Sequence, residues 1–96
     1  MTAFIATLAV KPGKEADFEN LQTELSQLTH GNEPGTLVYD VLRHRDKKDT
    51  YVVYARFVNE DAFQTHQTTD FHERLVPSIV DCLASDFEIE FYEFVA

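Results

Sequence analysis

Ninety-six residues, 44% of them hydrophobic and 26% charged, make one folded domain over 1–96 with a single modest core. The net charge of −9 argues against nucleic acid or an anionic membrane surface as the partner. A lone cysteine, Cys82, excludes an internal disulfide and a multi-thiolate metal centre; with no stretch of transmembrane length, a reducing cytoplasm fits best.

The chain opens with a strand over Thr2 to Val10. Phe4, Ala6, Leu8 and Val10 lie on one face and Ile5, Thr7 and Ala9 on the other, so both faces expect cover. No basic residue precedes this apolar run, and Lys11-Pro12-Gly13 turns the chain at once, which disfavours a signal peptide. A helix follows from about Lys14 to Thr29, with Phe18, Leu21, Leu25 and Leu28 as its apolar stripe. Gly31-Asn32-Glu33-Pro34-Gly35 breaks it. The second strand is Thr36 to His44, with Leu37, Tyr39 and Val41 on one face. A charged connection, Arg43 to Asp49, reads as a solvated hairpin tip rather than an anion site.

Tyr51 to Val58 is dense in β-branched and aromatic residues and forms the third strand. The period then changes. Asn59 is an N-cap, Glu60 and Asp61 set negative charge on the first turn, and Ala62, Phe63 and His66 fall on one helical stripe. An imidazole where a core residue belongs is either a buried histidine satisfied by a carbonyl or water, or a titratable group held for use. Gln67-Thr68-Thr69 loosens the chain. Asp70, with Glu73 as capping-box partner, starts a second helical piece whose stripe is Leu75, Val76, Ile79, Val80 and Leu83; Pro77 predicts a kink or restart. Phe87 to Val95 closes the chain as a fourth strand.

The order β-α-β-β-α-β is that of an α+β, ferredoxin-like fold: a four-stranded antiparallel sheet with the helices on one face. The helix-free face would carry Ile5, Ala9, Val38, Leu42 and Tyr54, which predicts a homodimer with sheet against sheet. Glu88 and Glu90 point to the same layer, where either Arg56, which has the parity, pairs with them or they sit at its wet edge.

The runs Val10-Lys11-Pro12-Gly13-Lys14-Glu15, Glu33-Pro34-Gly35-Thr36-Leu37-Val38-Tyr39-Asp40-Val41 and Tyr54-Ala55-Arg56-Phe57-Val58-Asn59-Glu60-Asp61-Ala62-Phe63, followed by His66 and Phe71, resemble the antibiotic biosynthesis monooxygenase family. The resemblance covers nearly the whole chain in order and spacing. It implies a dimeric α+β barrel with a pocket between sheet and helices in each subunit. Members of that family include cofactor-free oxygenases of quinols and polyketide aromatics, heme degraders, and an isomerase of a phosphorylated sugar. The family pattern has a histidine at His66. It usually has a glutamate where this chain has Ala55. The asparagine and tryptophan of the heme-degrading members are also missing, which disfavours that activity.

Oxygen insertion without metal, flavin or other cofactor asks for an electron-rich phenol or hydroquinone that, once deprotonated, reduces dioxygen itself. The protein supplies a base, a dry cavity and orientation. His66 is the candidate base. Tyr39 is positioned to hold a substrate oxygen, although buried tyrosines more often have their hydroxyl satisfied internally. Ala55, Phe63, Phe71 and His72 complete the expected substrate site; ordinary packing is the alternative for the phenylalanines, and solvent exposure for His72. A metal triad of His66, Asp70 and His72 matches no standard ligand spacing. Beside a monooxygenase of a small aromatic or quinol-like substrate stand two alternatives: a non-catalytic dimeric barrel that binds a small apolar molecule, and, more weakly, an isomerase, for which the pocket offers few polar groups.

Overall fold

A computed structural model describes residues 1–96. Its elements are β1 (Thr2–Ala9), α1 (Glu15–Asn32), β2 (Thr36–Arg43), β3 (Thr50–Phe57), α2 (Glu60–Gln67), α3 (Asp70–Asp81) and β4 (Glu88–Glu93). The strands form one antiparallel sheet in the order β2-β3-β1-β4. The ferredoxin-like α+β fold read from the sequence is therefore the fold the chain adopts.

Alternation along the strands decides which face meets the helices. Tyr51, Val53, Ala55 and Phe57 of β3 are buried, as are Phe4, Ala6 and Leu8 of β1, and β2 adds Tyr39. The register aligns them: Ala55 is paired with Phe4 on one side and with Tyr39 on the other. Phe18 and Leu25 of α1, Phe63 of α2 and Leu75 and Ile79 of α3 close the core from above. Phe4, Phe57 and Phe63 meet with ring centroids 5.3–6.0 Å apart, mostly edge to face.

Helix α1 departs from the expected stripe. Its buried positions are Phe18, Gln22, Leu25 and Thr29, while Leu21 and Leu28 pack at the margin. A four-three-four spacing thus brings two polar side chains inward. The helix also runs past Thr29 to Asn32, because the Glu33 N–H donates to the Thr29 carbonyl at 2.9 Å and Asn32 Nδ2 donates to Leu28 O at 2.8 Å. These bonds satisfy carbonyls that a helix end otherwise leaves free, so Gly31 is carried inside the last turn.

The second helical region is two helices, as its loosened Gln67-Thr68-Thr69 segment implies. Asn59 caps α2 by accepting from the Ala62 N–H at 2.9 Å. The cap of α3 is Thr69 rather than Asp70: its hydroxyl accepts from the His72 N–H at 3.2 Å, and Asp70 becomes a first-turn acid. Pro77 sits inside α3 without dividing it. The carbonyl it leaves without a helical donor belongs to Glu73, which is exposed to solvent.

The helix-free face carries partly covered Ala9, Val38 and Tyr54 together with exposed Ile5, Leu42 and Tyr92. Arg56 does not pair with Glu88 or Glu90; its guanidinium lies 4.1 Å from the centroid of the Phe94 ring.

Candidate active site

The site is built where three elements converge above β2 and β3. His66, near the C-terminal end of α2, is 2% exposed and packs among Tyr39, Phe57 and His72, with ring centroids 4.8–5.4 Å away. Its Nδ1 lies 2.9 Å from Oε1 of Glu33, which is itself only 6% exposed. The sequence reading placed Glu33 in the break after α1 and gave it no role; the fold buries it.

Three local features bring it there. The Glu33 N–H is held by Thr29, the Thr36 N–H donates back to the Glu33 carbonyl at 3.1 Å, and the Thr36 hydroxyl donates to Oε1 at 2.8 Å. Gly35 makes the approach possible. A Cβ built on it would stand 2.7 Å from the Ala62 Cβ, closer than real side chains come, and the Gly35 carbonyl accepts from Val58 N–H at 2.9 Å. The loop between α1 and β2 can therefore lie directly on the start of α2. Glu33 and His66, 33 residues apart in sequence, meet as a result.

Burial disfavours the imidazolium and holds the His66 pKa below that of an ordinary histidine, against the opposing pull of the Glu33 carboxylate. The neutral ring then donates its Nδ1 proton to Glu33, and Nε2 is left as an unprotonated acceptor with no partner in the chain. A ring whose tautomer is set by a carboxylate in this way is chemically able to act as a general base.

His66 lines a cavity of about 150 Å³ between the sheet and the helices. Phe4, Leu8, Val53, Phe63 and Ile79 give it apolar walls, and Tyr39, Gln22, Gln67 and His72 join His66 as its polar groups. Of the residues expected at a site, the structure brings His66, Tyr39, Phe63 and His72 together. Ala55 and Phe71 stand outside the lining. Ala55 is wholly buried between Phe4 and Tyr39, so the missing glutamate leaves no open space; Phe71 packs at the margin of the core.

Tyr39 is a donor already in use. Its hydroxyl donates to Gln22 Oε1 at 2.9 Å, and burial pushes its pKa above the ordinary tyrosine value, so it stays protonated. Gln22 escaped the sequence reading because it alternates with Leu21 along α1. Its spacing of four from Phe18 and three from Leu25 is the signal that identifies it. No three His, Cys, Asp or Glu side chains converge to hold a metal ion.

Burial, and then the neighbouring His66, bring the pKa of His72 down to about 4. In the unfolded chain this residue takes up its proton near pH 6.5. Between those values the unfolded state binds more protons, so lowering the pH through the window destabilises the fold. We expect the melting temperature to fall as pH drops from 6.5 toward 4, and His72→Gln to flatten that slope. Superimposable melting profiles for parent and variant would remove His72 from this role.

A sheet and helices flanking a half-open, mostly apolar cavity beside one carboxylate-paired imidazole define the class: an α+β protein of ferredoxin-like topology. The sequence profile described as antibiotic biosynthesis monooxygenase matches residues 1–77, and the chain belongs to that family. Among solved structures, a candidate antibiotic biosynthesis monooxygenase from Caulobacter crescentus is 30% identical over 99% of this chain and 90% of that one, with a TM-score of 0.95. A candidate of the same description from Nitrosomonas europaea is 20% identical with full coverage of both chains and a TM-score of 0.94. SnoaB, a cofactor-independent oxygenase from Streptomyces nogalater, is 22% identical over 97% of this chain and 91% of that one, with a TM-score of 0.84; both of these likenesses are of fold. No curated protein matches the chain in sequence. No helix is long and apolar enough to cross a membrane.

Proposed function

We propose that this chain is a monooxygenase of a small aromatic, quinol-like substrate, with dioxygen as the only co-reactant. The observation that carries this reading is the Glu33–His66 pair opening onto an apolar cavity. His66 Nε2 removes a phenolic proton, and the walls keep the resulting anion out of water. The electron-rich anion then reduces dioxygen. Hydroquinone plus dioxygen gives hydroxyquinone plus water: one oxygen atom forms the new C–O bond, the other leaves as water, and all four electrons that dioxygen takes up come from the substrate. The family and the oxygenase fold relative support the reaction class.

The test is oxygen uptake over a panel of hydroquinones and anthrone-type phenols, using chelator-treated protein. Stoichiometric uptake above the spontaneous rate supports the reading. Absence of uptake for every member, on folded protein, overturns it. A non-catalytic binding module is the second reading, favoured by Ala55 where the family pattern usually has glutamate; tight binding without turnover is its signature.

The site is further proposed to work in a homodimer. Ile5 is 38% exposed, Tyr92 45% and Leu42 54%, all on the helix-free face, and a second copy laid sheet to sheet would cover them. Opposed sheets of this size should bury about 1,200 Å² or more in total. Sedimentation equilibrium at micromolar concentration should report twice the 11.0 kDa chain mass; a species of 11.0 kDa alone would refute the dimer.

A further inference from the structure

The cavity beside His66 is small for a fused-ring aromatic. At about 150 Å³ it falls below the range of drug-sized pockets, which begins at about 300 Å³. An apolar protein cavity of about 150 Å³ takes up one benzene ring. His66 and His72, whose rings lie 4.8 Å apart, line the space together with Val80, Phe87 and Ile89, which are exposed to solvent. One side wall is thin. Gln22 and Tyr39 line this cavity and also a polar groove of about 530 Å³ on the outside of the molecule, between α1 and β2. The hydrogen bond from Tyr39 to Gln22 therefore runs along the partition between two spaces.

We propose that Gln22 and Tyr39 set the substrate class: the reacting ring must enter the cavity alone, as the sole or terminal ring of its molecule, and a ring fused on both sides cannot reach His66. A methyl-substituted hydroquinone meets this condition. Anthrone does not, because its acidic methylene belongs to the central of three rings. No cation other than the two histidines lines the cavity, and burial opposes the charged form of both, so the entering molecule is neutral rather than an anion. The rest of a larger substrate would lie toward the mouth, against exposed Phe87 and Ile89. The inference rests on the reading of this cavity as the substrate site.

The experiment is an anaerobic NMR titration that follows the imidazole resonances of His66, a readout that adsorption to the outer surface leaves unmoved. In the parent, methylhydroquinone is expected to shift the His66 signals to saturation, and anthrone to leave them in place. Gln22→Ala shortens the partition and joins the cavity to the outer groove; anthrone should then reach His66, with apparent affinity raised about tenfold or more. Gln22→Leu keeps the bulk and removes only the hydrogen bond, so it should exclude anthrone as the parent does. Equal shifts from anthrone and methylhydroquinone in the parent would overturn the ring limit and leave the monooxygenase reading intact. Methylhydroquinone that shifts His66 but consumes no oxygen would defeat the monooxygenase reading and leave the ring limit standing. If neither compound moves His66, both fail.

Discussion

His66→Gln should lower the oxygen-consumption rate by about 10²–10⁴-fold while leaving the chain folded. The size of the effect follows from what the imidazole has around it. Nδ1 is committed to Glu33 at 2.9 Å, which leaves Nε2 as the one unprotonated acceptor of a histidine that lines an otherwise mostly apolar cavity. Tyr39 cannot substitute for it, because burial keeps the phenol protonated and Gln22 already accepts its proton. His72 is near, but it has no carboxylate of its own behind the ring. Glutamine retains much of the volume, so a cooperative melt near that of the parent separates lost chemistry from lost packing. The pH profile adds a second check. His66 acts as a base only when neutral, and burial holds its pKa below 6.5; activity should therefore be fully present at neutral pH and fall only on the acid side of pH 6.5. A variant as fast as the parent would make the histidine structural.

The topology was legible because the periods along the chain are unambiguous. Alternation through Tyr51–Phe57, the helical spacing of Phe63 and His66, and the Gly-Pro break before Thr36 each point to one local structure. His66 was legible for the same reason: a polar residue on an apolar stripe stands out. Its partner was not. A glutamate between a helix end and a Pro-Gly turn ordinarily faces water, and nothing nearby in sequence marks Glu33 as buried. Its burial is a tertiary event, produced when Gly35 allows the loop to settle on Ala62. Gln22 was hidden differently, by a neighbouring leucine that fits a helical stripe almost as well. The choice between Thr69 and Asp70 as helix cap turned on one residue of register, which both side chains are chemically able to fill.

The absent strand-three glutamate takes on a different meaning once Glu33 is in place. A carboxylate does reach the histidine, from the loop after α1 rather than from β3, and it should control both stability and chemistry. Removing only one partner should be costly. His66→Phe leaves the Glu33 carboxylate buried with the Thr36 hydroxyl as its remaining donor, and Oε2 already has no partner in the chain. Loss of about 3–5 kcal/mol is expected from such a broken buried pair. His66→Phe combined with Glu33→Leu removes the stranded charge and should recover most of that loss, so the two changes will be far from additive in urea denaturation. Glu33→Gln probes the chemistry with less structural damage. The carboxylate raises the histidine pKa both by its charge and by its hydrogen bond, so Glu33→Gln should move the His66 titration further below its parent value. The rate should fall with it, since the imidazolium formed on proton transfer loses the negative charge that stabilises it. Titration of the imidazole resonance decides the matter: an unchanged His66 pKa in Glu33→Gln would show that the 2.9 Å contact serves packing alone.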